Sequence, residues 1–130
     1  VAVERKPLAP PSWRRQHGDA AEQHGCDWLC RRGLRLVARN WRCRLGEIDL
    51  IMQHGDTLVF VEVRLRRDHD YGGALASVTV AKQRKLLRAA KLFLAQRPQF
   101  GQHACRFDVL ALSGNRSTPE WVQNAFYGDE

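Results

Sequence analysis

Nowhere in its 130 residues does the chain carry an apolar run approaching the roughly eighteen residues that cross a bilayer. A helical membrane span is therefore not expected. The first residues hold no hydrophobic signal-peptide core, which makes the cytoplasm the expected compartment. No C-x-x-C pair occurs: Cys26 and Cys30 stand four apart, and Cys43 and Cys105 are isolated. That spacing fits no zinc pattern, so buried thiols are the first expectation and a zinc site using His24, His103 or Cys105 the second. Structural disulfides are not expected in a cytosolic chain. No repeat, helix-turn-helix, zinc finger or RNA-recognition aromatic motif is present, so nothing in the chain is fitted to read bases. Acids are the minority, 14 against 21 Lys plus Arg, leaving a formal net charge of +7. This favours a polyanionic partner, nucleic acid (DNA foremost) before an acidic membrane surface. Lysine is also scarce, 4 against 17 arginines, an imbalance that fits genomic composition as well as chemistry.

What is present reads as one α/β domain. Residues 1–13, with Pro7, Pro10 and Pro11, read as a flexible N-terminal tail, leaving 14–130 as a single domain. A helix fits from about Trp13 to Arg32, although Gly18 and Gly25 weaken it, and Gly33 is a natural stop. Strands are expected over Leu34 to Asn40, Glu47 to Gln53 and Thr57 to Leu65. A polar loop follows, with Tyr71-Gly72-Gly73 as a turn or a loop closing over substrate. Val80 to Arg97 is the clearest helix, with Leu86, Leu87, Ala90, Phe93 and Leu94 on one face and Lys82, Lys85, Arg88 and Lys91 outside it. Cys105 to Leu112 reads as a strand, and Trp121 to Phe126 as an edge strand or packed tail. Asp108 alternates with apolar neighbours and reads as a satisfied structural acid. The tryptophans read as core rather than base-stacking platforms.

Two acids break this pattern. Asp49 and Glu62 lie inside runs, Ile48 to Met52 and Leu58 to Val63, that otherwise read as buried strand. A buried carboxylate costs several kcal/mol unless paired or bound to a metal, and two facing each other cost more. Gly55-Asp56 fits a two-residue type II′ turn. Counting outward from it pairs His54 with Thr57, Gln53 with Leu58, Met52 with Val59, Ile51 with Phe60 and Leu50 with Val61. Asp49 then faces Glu62, and Glu47 faces Arg64 on the same side of the sheet. A divalent cation between the acids would suit phosphodiester hydrolysis, polarising a phosphoryl oxygen and acidifying water. Hard cations take oxygen ligands, so the Val63 carbonyl is a third candidate beside Asp49 and Glu62. The competing expectation is structural: cross-strand salt bridges from Glu47 and Asp49 to Arg64.

The segments Gly18-Asp19-Ala20-Ala21-Glu22, Gly46-Glu47-Ile48-Asp49-Leu50-Ile51, Phe60-Val61-Glu62-Val63-Arg64, Ala76-Ser77-Val78-Thr79 with Lys82, and Arg106-Phe107-Asp108-Val109 carry a resemblance. The chain resembles the YraN-like family of small bacterial proteins and, more widely, the restriction-endonuclease-like nuclease superfamily. The resemblance implies a sandwich of helices around a central mixed sheet, in the order αβββαβ, similar to archaeal Holliday-junction resolvases. It implies a metal-dependent endonuclease acting on DNA, branched or processed structures among its candidate substrates, using Mg2+ with Mn2+ able to substitute. Asp49 and Glu62 would be metal ligands, and Glu22 would match an extra acid on the first helix or be a plain solvated acid.

The chain departs from the superfamily at Arg64, where lysine is usual. Arginine stays protonated and cannot act as a base, although it can stabilise charge. Lys82 would supply the missing ammonium from the next helix, or be an ordinary exposed lysine; Gln83 is a weaker candidate. Arg66, Arg67, Lys85, Arg88 and Lys91 are the expected phosphate contacts, or simply a solvated basic face. Two other readings compete with the nuclease: a nucleic-acid-binding module of the same fold without turnover, and a protein-interaction or assembly factor. A homodimer would suit the concerted cutting of two strands, each site cutting one.

Overall fold

In a computed structural model of the chain, the described residues are 4–5, 13–66, 73, 78–113 and 118–126. They form helix α1 (Trp13–Cys30), strands β2 (Arg35–Cys43), β3 (Gly46–His54) and β4 (Thr57–Arg66), helix α2 (Val80–Gln96), and strands β5 (Ala104–Ser113) and β6 (Glu120–Phe126). A two-residue strand, β1 (Glu4–Arg5), precedes α1 and pairs parallel to β2. It lies within the segment read from the sequence as a tail; the rest of 1–12 is outside the described residues, as are Tyr71 and Gly72. The six strands lie across one sheet in chain order. β1–β2 and β4–β5 are parallel and the other pairs antiparallel. This is the expected α/β sandwich, a mixed sheet flanked by helices, with β6 added at the edge.

The local causes are legible residue by residue. Gly33 takes φ 95, its N–H meets the Cys30 carbonyl at 3.1 Å, and the Leu34 N–H meets Leu29 at 3.2 Å. These two bonds close a Schellman stop that only glycine adopts without strain, so α1 ends two residues before the expected Arg32. At the other end of the chain's second helix, the Thr79 hydroxyl accepts from the Lys82 N–H at 3.1 Å, capping α2. Gly55 has φ 62, and the β3–β4 pairs run from His54–Thr57 to Leu50–Val61 in the expected register.

Each face of the sheet carries its own core. Leu86, Ala89, Ala90 and Phe93 of α2 pack on Ile51, Phe60, Phe107 and Trp41. Cys26 and Leu29 of α1 pack on Leu50, Met52, Val59, Val61 and Leu110. Ala89 belongs to the α2 stripe although the sequence reading omitted it, while Leu87 and Leu94 are only half-buried. Gly25, which seemed a flaw in α1, is buried against β5: a Cβ there would sit 2.9 Å from Leu110 Cδ2. Its smallness brings the helix close to the sheet one turn after Glu22.

Asp108 is wholly buried and fully satisfied. It accepts from Arg106 Nε at 3.0 Å, Trp121 Nε1 at 2.9 Å and the Asn124 N–H at 2.9 Å, where β5–β6 pairing shifts register. All four cysteines are free thiols, but only Cys26 is buried; Cys30 and Cys105 are exposed, contrary to the expectation of buried thiols. Trp41 is core, whereas Trp28 and Trp121 are half-buried and meet edge to face at 5.9 Å. Among the described residues no helix is long and apolar enough to cross a membrane.

Candidate functional site

The β3–β4 ladder stops at Leu50–Val61, one residue short of the two acids. Beyond it β3 stays with β2 as far as Gly46–Cys43, while β4 stays with β5 as far as Arg66–Ser113. The sheet forks there, and Asp49 and Glu62 lie in the fork. Asp49 makes the break itself: its Oδ2 accepts the Val63 N–H at 2.8 Å, taking a donor that would otherwise continue the ladder.

This corrects one sequence expectation. Glu47 does not face Arg64, because the strands have parted before reaching them. Glu47 pairs instead with Arg42 across β2–β3 at 3.0 Å. Arg64 Nη1 reaches Glu62 Oε2 at 3.5 Å, so the cross-strand salt bridge from Glu47 to Arg64 is not formed.

A second irregularity lies on the neighbouring strand. Ile48 and Ile51 share the α2-side core although they are three residues apart, and so do Ala38 and Trp41 on β2. Strict alternation would place each pair on opposite faces. The slip falls at Asn40, which has φ 50, and at Asp49, which lies between the paired positions Arg39–Leu50 and Trp41–Ile48. Asp49 is thus placed where alternation fails on both strands, within reach of groups from both helices.

From α2, Lys82 Nζ comes to 3.4 Å from Glu62 Oε2. From α1, the Glu22 carboxyl lies close enough to Asp49 for each to bear on the other's proton affinity. Asp49 and Glu62 are 8% and 3% exposed, so water screens them little. Burial, then the neighbouring charges of Glu62 and Glu22, hold the Asp49 carboxyl well above its ordinary 3.8. Burial raises Glu22 from 4.5 to about 7, the charges of Asp19 and Glu47 adding to it and Arg39 opposing. Burial and crowding thus push both carboxyls toward their protonated forms.

Three buried polar atoms beside these acids lack a hydrogen-bond partner: Glu22 Oε1, Arg39 Nε and Asn40 Nδ2. Arg39 is held from α1, its Nη1 donating to Gln23 Oε1. The orphaned Glu22 oxygen and the clustered carboxylates make an all-oxygen donor set that fits a hard divalent cation. Asp49, Glu62 and the Val63 carbonyl would hold it, with Glu22 at the edge. Among the described residues no group of three or more His, Cys, Asp and Glu side chains is placed to close round a metal by itself.

The fork brings together Asp49, Glu62, Val63, Arg64, Lys82 and Glu22. Gln83 turns away and donates to the Val78 carbonyl at 3.1 Å. Lys85, Arg88 and Lys91 are exposed on α2. Arg66 is described only in its backbone, and Arg67 lies outside the described residues. Sequence reasoning missed Arg39, Asn40 and Gln23. The signal was available, since Arg39-Asn40 interrupts the apolar run of β2 much as Asp49 interrupts β3.

Residues 21–112 match an uncharacterised protein family, UPF0102. The chain is 48% identical to a UPF0102 protein of Pseudomonas putida strain GB-1, over 92% of this chain and 98% of that one. It is 54% identical to one from Ectopseudomonas mendocina strain ymp, over 82% and 87%. A third, from Alcanivorax borkumensis, is 47% identical over 89% and 95%. The family match takes in both strands of the fork, all of α2, α1 from Ala21 onward and β5 up to Leu112.

Proposed function

The chain belongs to the uncharacterised protein family UPF0102, and for the fork it carries we propose metal-dependent hydrolysis of phosphodiester bonds in nucleic acid, DNA foremost. The observation that carries the reading is the meeting of two buried carboxylates, a half-buried third with one unpartnered oxygen, and a lysine ammonium where the sheet parts. Asp49, Glu62 and the Val63 carbonyl would hold Mg2+, or Mn2+ in its place. When bound, the ion supplies positive charge to a phosphoryl oxygen and acidifies water.

The remaining work falls to the chain's own groups. Glu22, held near neutrality, is matched to accepting a proton from the attacking water. Lys82, paired with Glu62 at 3.4 Å, stands in for the lysine that Arg64 displaces, and stabilises charge developing on the phosphoryl group. Arg64, paired with the same oxygen, adds charge but no base. The oxygen–phosphorus bond to water forms as the bond to the leaving oxygen breaks, with the water's proton taken up at Glu22 and the leaving oxygen taking a proton from solvent. The free thiols and the substrate class together suit the cytoplasm.

The test is cleavage of linear, flapped, branched and single-stranded DNA with Mn2+ or Mg2+ by the wild type and by Asp49→Ala and Glu62→Ala. Cleavage by the wild type alone supports the reading and excludes a contaminating nuclease. Arginine at position 64 favours one second reading, a nucleic-acid-binding module without turnover. Metal binding that leaves every substrate intact would establish that reading instead.

A further inference from the structure

We propose that the outward face of α2 is a second seat for a nucleic-acid phosphate backbone, independent of metal and built by Arg84, Arg88 and Lys91 around Leu87. The identity of the partner rests on the nucleic-acid reading above; the site itself rests on separate observations.

Over its 17 residues α2 carries five cations and no acid. Two of the five are accounted for. Lys82 faces Glu62, and Lys85 lies over the β2–β3 turn, where a Cβ on Gly46 would be 3.6 Å from its own Cβ. The other three line a hollow of about 220 Å³ with Leu87. Among the described residues none offers them an ion pair. Like charges at helical spacing of i and i+4 repel by about 0.2–0.5 kcal/mol per pair, so the stripe weakens the isolated helix. An external anion would reverse that penalty.

The spacing selects the anion. Positions 84, 88 and 91 follow one stripe and rise about 10 Å along the axis. One strand of a duplex presents a phosphate about every 3.4 Å of axial rise, so three cations match a run of phosphates rather than one small anion. A membrane would need apolar side chains to insert. Leu86, Ala89, Ala90 and Phe93 of α2 are buried against the sheet; the hollow itself holds one apolar side chain, a half-buried Leu87, and Val80, one turn before Arg84, is exposed but too small an apolar surface to anchor the helix by itself. The stripe points away from the sheet while Lys82 points toward the fork. Backbone held here is therefore a different stretch from the one being cut.

The experiment measures anisotropy of a labelled linear duplex titrated with salt in EDTA, so neither metal nor cleavage enters. The triple variant Arg84→Gln/Arg88→Gln/Lys91→Gln should lose about 2–3 units of the log–log salt slope, near 0.9 per phosphate contact. The variant Arg84→Lys/Arg88→Lys should keep the wild-type slope. The triple variant should melt in EDTA no lower than the wild type does, which shows that the fold is intact. An unchanged slope in the triple variant, or no duplex binding by the wild type, overturns the proposal. So does loss of binding to phosphatidylserine vesicles with duplex binding unaffected. If the slope falls as expected while no DNA is ever cut, this seat stands and the nuclease reading falls.

Discussion

Glu22→Gln is the most revealing single change. Burial raises the Glu22 carboxyl from 4.5 to about 7 in the folded chain. The folded protein thus binds a proton more tightly than the unfolded chain does. The sign follows: between about pH 4.5 and 7 the unfolded state sheds its proton first, so stability falls as pH rises through that window. At about 1.4 kcal/mol per unit the full shift would reach roughly 3 kcal/mol. Glu22 is only half-buried, and solvent screening reduces the figure to about 1–2 kcal/mol.

Glutamine keeps the shape and removes the ionisation. In chelator, the variant should be more stable than the wild type by about 1–2 kcal/mol near pH 8 and indistinguishable from it near pH 4.5. Urea unfolding at several pH values reads both limbs. Adding Mn2+ should reverse the order near pH 8, because a cation rewards the carboxylate that chelator leaves exposed to its neighbours. A variant less stable than the wild type at alkaline pH would refute the reasoning, as would parallel pH profiles. Either outcome would mean that Glu22 is charged and comfortable where it lies.

Other residues separate fold from chemistry. Asp49→Asn keeps an oxygen for the Val63 N–H and should fold, but lose the Mn2+-induced rise in melting temperature, read by differential scanning fluorimetry. Lys82→Ala should cut the cleavage rate about 100-fold while leaving metal binding intact, measured as single-turnover kinetics beside a manganese titration. Asp108→Ala leaves Arg106, Trp121 Nε1 and the Asn124 N–H without their acceptor and should cost about 3–5 kcal/mol in urea unfolding, with the metal response retained in the folded fraction.

Short-range patterns made much of this arrangement legible in the sequence. Gly55-Asp56 fixed the hairpin, and period-two counting from it gave every pair from His54–Thr57 to Leu50–Val61. Gly33 marked the end of α1 through bonds reaching only a few residues. The reading failed one residue past Leu50, and for a physical reason. Counting assumes that the ladder continues, whereas Asp49 spends its carboxylate on the Val63 N–H and ends it. Glu47 was then free to meet Arg42, a partner on the preceding strand that hairpin counting does not consider.

That failure and the site have one origin. A strand acid with no local partner can satisfy the backbone of its neighbour, but in doing so it opens the sheet and leaves two strands diverging. The opening admits Glu22 from one helix and Lys82 from the other, neither of which has any sequence relation to the hairpin. Arg64 illustrates the same point. By position on β4 it takes the place of the expected lysine, yet the ammonium at Glu62 comes from α2, 20 residues later in the chain. Judged by the strand motif alone the site lacks its lysine. Judged by what surrounds Glu62 Oε2 it has two cations, one able to release a proton and one not. Under the proposed hydrolysis, replacing Arg64 should therefore slow cleavage less than replacing Lys82, the reverse of what position on the strand would suggest.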